Sequence, residues 1–304
     1  MDFGLKDTDF VFRSFGFLFD SFGRTLKQMV LWGAPVVALN LWPFFDPDGA
    51  IADALRAQAL YAATGRFAAG PTAIQWAMLL GISAFGIAAA SGFAVQSHRH
   101  IIGHVKMPER SLWPSIAVYC GYTLLIALIG IFLGVLVALA IAIVAPAMPP
   151  ALAQWIPVFV LIGFGLLALR VSLIFPSTSI GDREMTLSRS INMTGRSVWR
   201  MALAFLGFFL FLLIAGLILG WLVKLVIVDS SALAQVTARM ILGQFVEFLG
   251  AALVTTYLSL VYAHKMGIGI PTPREWKERD AVLEAIKQAD AAQPDTENEK
   301  GGSI

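Results

Sequence analysis

The sequence predicts an all-α polytopic membrane protein, with six transmembrane helices arranged as three hairpins. Three observations predict it. First, the 304 residues are 58% hydrophobic and only 14% charged, where soluble domains are about 45–50% apolar and about 25% charged. Second, no Asp, Glu, Lys or Arg occurs from Ser111 to Leu169. As one helix that stretch would run about 88 Å, nearly three times a ~30 Å hydrocarbon core, so it must fold back. Third, the lysines and arginines are concentrated in alternate connecting segments, the signature of a chain threaded repeatedly through a bilayer.

The spans follow in order. Residues 28–45 are uncharged and mostly apolar, giving a short first helix, and 74–97 give the second. Within the charge-free stretch the break falls at Pro146-Ala147-Met148-Pro149-Pro150, because proline removes backbone donors and crowds the preceding turn. Helices three and four are therefore expected over 114–145 and 151–175, the former long enough to tilt or to spend its first turn in the interface. Helices five and six are expected over 201–228 and 240–264.

Orientation follows from the cationic residues. Lys6, Arg13, Arg24 and Lys27 precede helix one, and Arg99, Lys106 and Arg110 lie between helices two and three. Arg183, Arg189, Arg196 and Arg200 lie between helices four and five, and six more follow helix six, from Lys265 to Lys300. The opposite loops hold only Arg56, Arg66 and Arg239. Positive residues stay inside, so both termini are expected in the cytoplasm. Met1-Asp2-Phe3-Gly4-Leu5-Lys6-Asp7 lacks the basic start of a cleavable signal, so the spans themselves are expected to direct insertion.

Three regions result: a cytoplasmic amphipathic segment, 1–25; the membrane domain, 26–266; and a cytoplasmic tail, 267–304. In the first, Phe12, Phe15, Phe19 and Phe22 recur at helical spacing among Arg13, Asp20 and Arg24, predicting a helix lying in the membrane interface. Residues 184–199, with Met185, Leu187, Ile191, Met193 and Trp199 among arginines, predict a second such helix. Alanine-rich residues 49–63 predict a short helix in the opposite loop. In the tail, Thr272-Pro273-Arg274-Glu275 has capping-box spacing with proline at the first helical position, predicting a helix over 273–292 before a polar, disordered end.

An internal repeat is visible at an offset of 86. Arg110-Ser111-Leu112-Trp113 matches Arg196-Ser197-Val198-Trp199, Gly121 matches Gly207, and Gly130 and Gly134 match Gly216 and Gly220; 12 of 32 positions are identical. The reading is a duplicated helical hairpin whose copies run parallel. The GxxxG pairs are assigned to helix packing, since small residues let backbones approach within a bilayer.

Polar residues inside the spans carry the sharpest functional signal. A charge at the bilayer centre costs about 2.5–3.5 kcal/mol on insertion scales. Lys224 and Arg170 sit toward span ends and can extend to water or lipid phosphate. Glu247 is too short for that, so it must pair or be protonated. Lys224 is the expected partner, and Gln244 shares its face. Glu247, Gln244, Lys224 and Arg170 thus form the candidate intramembrane site. His98, His100 and His104 surround Arg99 in the expected second-to-third connection, with Glu109 the nearby acid. They are expected to face lipid headgroups rather than hold a metal. Cys120 is the single cysteine, which excludes an intramolecular disulfide. The net charge of +2 gives no footprint for nucleic acid. No catalytic motif and no cofactor loop is present, so no catalytic residue, metal or cofactor is assigned.

One stretch resembles a known family. Arg170-Val171-Ser172-Leu173-Ile174-Phe175-Pro176, a polar linker containing Asp182, and Thr186 to Trp199 with Ser190 and Gly195-Arg196-Ser197-Val198-Trp199 are similar to bacterial six-helix inner-membrane proteins. These are the YciC-like proteins and the membrane domain joined to some glycerophosphoryl diester phosphodiesterases. The resemblance implies a multi-pass bacterial inner-membrane protein without assigned chemistry. The fused phosphodiesterase has no counterpart in the short segment after residue 266, so its activity does not carry over. Three functions stand open at this point. The first is a non-enzymatic role in envelope organisation or partner binding through the tail. The second is a small transporter or channel using Glu247. The third is a lipid-modifying enzyme.

Overall fold

The computed structural model describes residues 7–42, 72–103, 105–144, 155–227 and 232–269, together with residues 49, 53, 275, 278, 281, 282 and 285. Among these, secondary structure is helical throughout, in nine segments: α1 (Asp7–Asp20), α2 (Phe22–Leu41), α3 (Ala73–Ile102), α4 (Leu112–Val144), α5 (Ile156–Val171), α6 (Ile174–Ile180), α7 (Leu187–Thr194), α8 (Val198–Ile227) and α9 (Ala232–Lys265). Five stretches among the described residues are long and apolar enough to cross a membrane: Trp76–Ile102, Leu112–Ala140, Ile156–Ile180, Val198–Ile227 and Thr237–Lys265. The protein is therefore an all-α chain with several membrane-span-like helices. The expected first span, 28–45, coincides with α2, whose first turns carry Arg24 and Lys27, and residues 43–45 lie outside the described residues. The expected helix over 49–63 is represented only by residues 49 and 53, and the tail helix by helical Glu275, Glu278, Ala281, Val282 and Ala285.

The helices pair antiparallel. In α8 and α9, Leu212 meets Gly250, Gly216 meets Val246 and Gly220 meets Leu242, each step forward matched by an equal step back. Along α4 and α5–α6, Tyr119 lies against Phe175 and Gly130 against Phe164. Along α2 and α3, Arg24 meets His100 and Trp32 meets Gln96 and Gly92. The GxxxG pairs thus act unevenly. A Cβ on Gly130 would come within 2.6 Å of the Phe164 ring, whereas one on Gly134 would meet nothing within 4 Å. Gly216 and Gly220 face α9 at ordinary contact distance.

α9 is the central element. In its apolar window 67% of residues are buried, against none in the α4 window. It packs against α1, α2, α3, α6 and α8. The buried core gathers at one end of the bundle, where Phe93, Leu173, Phe208, Leu253, Tyr257, Leu260 and Tyr262 are nearly fully enclosed. This is the basic end of the bundle, where Arg24, Arg99 and Lys106 make their contacts. Toward the other end α4, α5 and α8 present long apolar faces, as spans bordered by lipid do.

The expected span 151–175 is observed as two helices. Pro176 has no N–H for the Ser172 carbonyl and its ring crowds that carbonyl, so the helix breaks at 172–173. α6 then ends in a tight left-handed turn. Gly181 has φ 83, with Asp182 N donating to Ser177 O at 2.9 Å and Gly181 N to Thr178 O at 3.2 Å, the pattern of a Schellman cap. A Cβ at Gly181 would lie 3.0 Å from the Arg110 nitrogen, so glycine is needed for both conformation and clearance.

The aromatic stripe of α1 splits between two surroundings. The face packed on α9 is Phe10, Ser14, Phe17 and Leu18, while Phe12 and Phe19 are 75% and 66% exposed and Phe15 lies against Phe208 and Phe211. Two overlapping apolar faces share this helix, and the more buried one is not the stripe that the phenylalanine spacing marks. The second expected interfacial helix, 184–199, is shorter than expected: helical residues run Leu187–Thr194, and Met185 is buried whereas Trp199 is 65% exposed.

Candidate functional site

The polar side chains that converge do so at the basic end of the bundle, around Asp182. The Schellman turn after α6 delivers Asp182 into the core, where its side chain is 2% exposed. The Tyr262 hydroxyl, one turn before the end of α9, donates to its Oδ2. Lys106 Nζ, from the α3–α4 connection, lies 3.5 Å from the same oxygen. The Glu184 backbone N–H donates to Oδ1 at 2.9 Å. Burial pushes the carboxyl upward, but the Tyr262 and Glu184 hydrogen bonds and the Lys106 charge together hold it below the usual carboxylate range. Three separate parts of the chain meet on one carboxylate.

Beside it, Arg99 binds the α3–α4 connection to α6. Its Nε donates to Ser179 O at 2.6 Å, and its Nη2 reaches the carbonyls of Arg110 and Ser111 and the Ser115 hydroxyl, the latter two at 2.9 and 2.8 Å. A planar guanidinium with fixed donors suits this convergence of acceptors. The break before α6 is repaired from the other side. Freed of its helical partner, the Arg170 carbonyl accepts from Ser190 Oγ at 2.9 Å and lies 2.9 Å from Thr194 Oγ1. α7 therefore caps α5, with Ser190 as donor and Thr194 dividing its one proton between this carbonyl and that of Ser190, 2.8 Å away.

His98 and His100 belong to α3, which extends five residues beyond its expected end. His98 does not face headgroups. It is fully buried, with Nδ1 2.8 Å from Ser259 Oγ. Ser259 spends its proton on the Thr255 carbonyl at 2.8 Å, so His98 Nδ1 carries a hydrogen and donates to it. Nε2 is then an acceptor, and among the described residues it is the buried side-chain atom without a hydrogen-bond partner. The Tyr119 ring lies 6.0 Å away. His100 points instead into a cleft at the α1–α2 junction, where Arg24 Nη1 contacts its ring, 3.1 Å from Nε2. His104 lies outside the described residues. No group of three metal-capable side chains occurs among the described residues.

The intramembrane residues singled out from sequence are placed apart. Gln244 Nε2 donates to Glu247 Oε2 at 3.2 Å, so these two share a face of α9 as expected. Glu247 is exposed on that helix, and among the described residues no ion pair joins it to Lys224, which is exposed on α8. Arg170 is exposed at the end of α5, a helix packed against α4, α7 and α8. Arg99, Asp182, Tyr262 and His98, which hold the basic end together, were not among the residues singled out as a site. Asp182 and Arg99 could have been flagged as charges flanking long apolar spans. Nothing in the sequence pairs Asp182 with Tyr262 or His98 with Ser259.

No protein-family model matches the chain, and no curated protein or solved structure matches it.

Proposed function

We propose that the chain is a six-span protein of a bacterial inner membrane, with both termini in the cytoplasm, acting in envelope organisation or partner binding without catalysis of its own. The observation that carries this reading is how the polar groups of the basic end are used. Asp182, Tyr262, Lys106, Arg99, Ser190 and Thr194 hold connecting segments to one another. A cross-linked layer of that kind gives a fixed platform rather than a yielding surface, which suits docking.

Six spans are favoured because α2 runs antiparallel along α3 from Arg24–His100 to Trp32–Gly92, as the other pairs do. Parallel duplication is supported by Gly130 and Gly216, which stand 86 residues apart and each face the following helix of their own pair. The likeness to YciC-like proteins agrees with this layout. The transport reading predicts a polar cavity lined by Glu247 and Gln244, which meet on α9 where Glu247 is exposed.

The reading is tested by affinity purification of the full chain from its native membranes, beside a version ending at Gly269, together with deletion of the gene. The expected result is a protein partner retained by the full chain and lost with the tail, and an envelope defect on deletion. Recovery of no partner, with an unaltered envelope, overturns it.

A further inference from the structure

A cleft opens at the basic end where α1 turns into α2. Its lining combines Arg24, His100, Ser21, Thr25, Gln28 and Ser97 with a floor that includes Phe17 and Ile101. Two features point to one ligand chemistry. A permanently charged guanidinium lies against the ring of an imidazole. Neutral hydroxyl and amide groups from α2 and α3 surround them, with Arg24 and Thr25 both from the first turn of α2.

Size narrows the choice. The enclosed space is about 20 Å³, room for little more than one water-sized group. A nucleotide or sugar does not fit inside, but one or two oxygens of a tetrahedral anion do, with the rest of the ligand outside. The apolar floor, and the exposed Phe12 and Phe19 on the neighbouring helix, set the cleft at a boundary between apolar and polar surroundings. Basic pockets between spans at that level are where phospholipid headgroups are held.

We propose that the Arg24–His100 cleft binds a phosphate group, supplied either by an anionic phospholipid headgroup or by soluble phosphate. Arg24 provides the charge, and Gln28 and Thr25 orient the oxygens. This goes beyond the platform reading and does not depend on it.

The test is lipid retention by the purified full chain, measured by native mass spectrometry. Phosphatidylglycerol is compared with diacylglycerol, which has the same tails and no phosphate, with and without millimolar inorganic phosphate. Arg24→Gln/His100→Gln is expected to weaken phosphatidylglycerol retention about tenfold, the loss of charge-assisted hydrogen bonds, and to leave diacylglycerol unchanged. Displacement by inorganic phosphate identifies soluble phosphate as the source; resistance to it identifies the lipid. Gln28→Glu keeps both basic side chains and puts a carboxylate in the cleft, so it decides the matter by the same comparison if the double variant does not fold. Arg196→Gln, which removes an exposed charge elsewhere, is expected to bind as the unaltered protein does. Equal phosphatidylglycerol retention by the unaltered protein and the cleft variants overturns the proposal, as does an equal loss in Arg196→Gln.

Discussion

The Tyr262 hydroxyl donates to the Asp182 carboxylate across 80 residues of sequence, tying the end of α9 to the turn after α6. The bond makes stability depend on acid. Asp182 titrates below its ordinary value when folded, so its contribution is fully present above the ordinary carboxylate range. It is lost as pH falls through the folded value. Thermal unfolding in detergent is expected to be level near neutrality and to fall on acidification. Asp182→Asn is expected to lower stability at neutral pH by about 1.5–3 kcal/mol, the worth of a hydrogen bond to a charged group, and to flatten the acid limb. An acid limb unchanged in Asp182→Asn would show that another group carries it.

Arg99 supports a second prediction. Its guanidinium satisfies acceptors from residues 110, 111, 115 and 179. Lysine carries the charge but cannot reach acceptors spread over such a fork. Arg99→Lys is therefore expected to destabilise by about 1–3 kcal/mol, the cost of leaving partly buried carbonyls unpaired. Arg196→Lys, on an exposed side chain, is expected to change little. Comparable melting temperatures for the two lysine variants would contradict this account.

The extent of the fold that sequence reveals follows from which forces are local. Long apolar stretches mark α4, α5, α8 and α9 because a bilayer demands length and apolarity regardless of partners. The end of α3 is different. The run from Ser97 to His100 looks like a loop, since its polarity is evident and its partners are not. Ser259, lying 161 residues away, accepts from His98 and makes a buried histidine tolerable. The Pro176 break is written in the sequence, but its repair by Ser190 and Thr194 is not, because a cap of this kind is a tertiary contact. The candidate site was misdirected for the same reason. Intramembrane charge attracts notice to Glu247 and Lys224, whereas the convergent groups are interfacial residues whose pairing depends on how the hairpins pack.

The glycines of α3 give a third prediction, because they look alike in sequence and differ in space. A Cβ at Gly92 would fall 2.3 Å from the Trp32 ring, while Gly81 and Gly86 have nothing within 4 Å. The indole cannot swing away freely: its Nε1 donates to Gln96 Oε1 at 3.2 Å, and it packs T-shaped with Trp113, ring centroids 6.5 Å apart. Gly92→Ala is expected to cost about 1–3 kcal/mol by overpacking. Gly86→Ala is expected to be neutral or to stabilise by up to about 1 kcal/mol through helix propensity. Trp32→Leu should recover part of the Gly92→Ala loss in a double-mutant cycle. Additive effects would show that Trp32 is not what Gly92 makes room for.

Glu247 supports the last prediction. Its carboxylate is exposed on α9 and accepts from Gln244, three residues earlier. A glutamine in its place keeps the shape and can still hydrogen bond to Gln244. Nothing else among the described residues depends on the charge, so Glu247→Gln is expected to leave folding within about 0.5 kcal/mol of the unaltered protein. The same substitution separates the platform and transport readings. A docking surface built from Asp182, Arg99 and α1 sits at the C-terminal end of α9, whereas Glu247 lies near the middle of that helix, so partner recovery should be unaffected. A proton- or cation-coupled route through the bundle would require an ionisable group there, and the substitution would abolish it. Complementation of a deletion strain by the Glu247→Gln chain is the measurement. Full rescue removes the transport reading. Failure to rescue by a chain that is inserted and stable in the membrane would make Glu247 functional and overturn the platform reading.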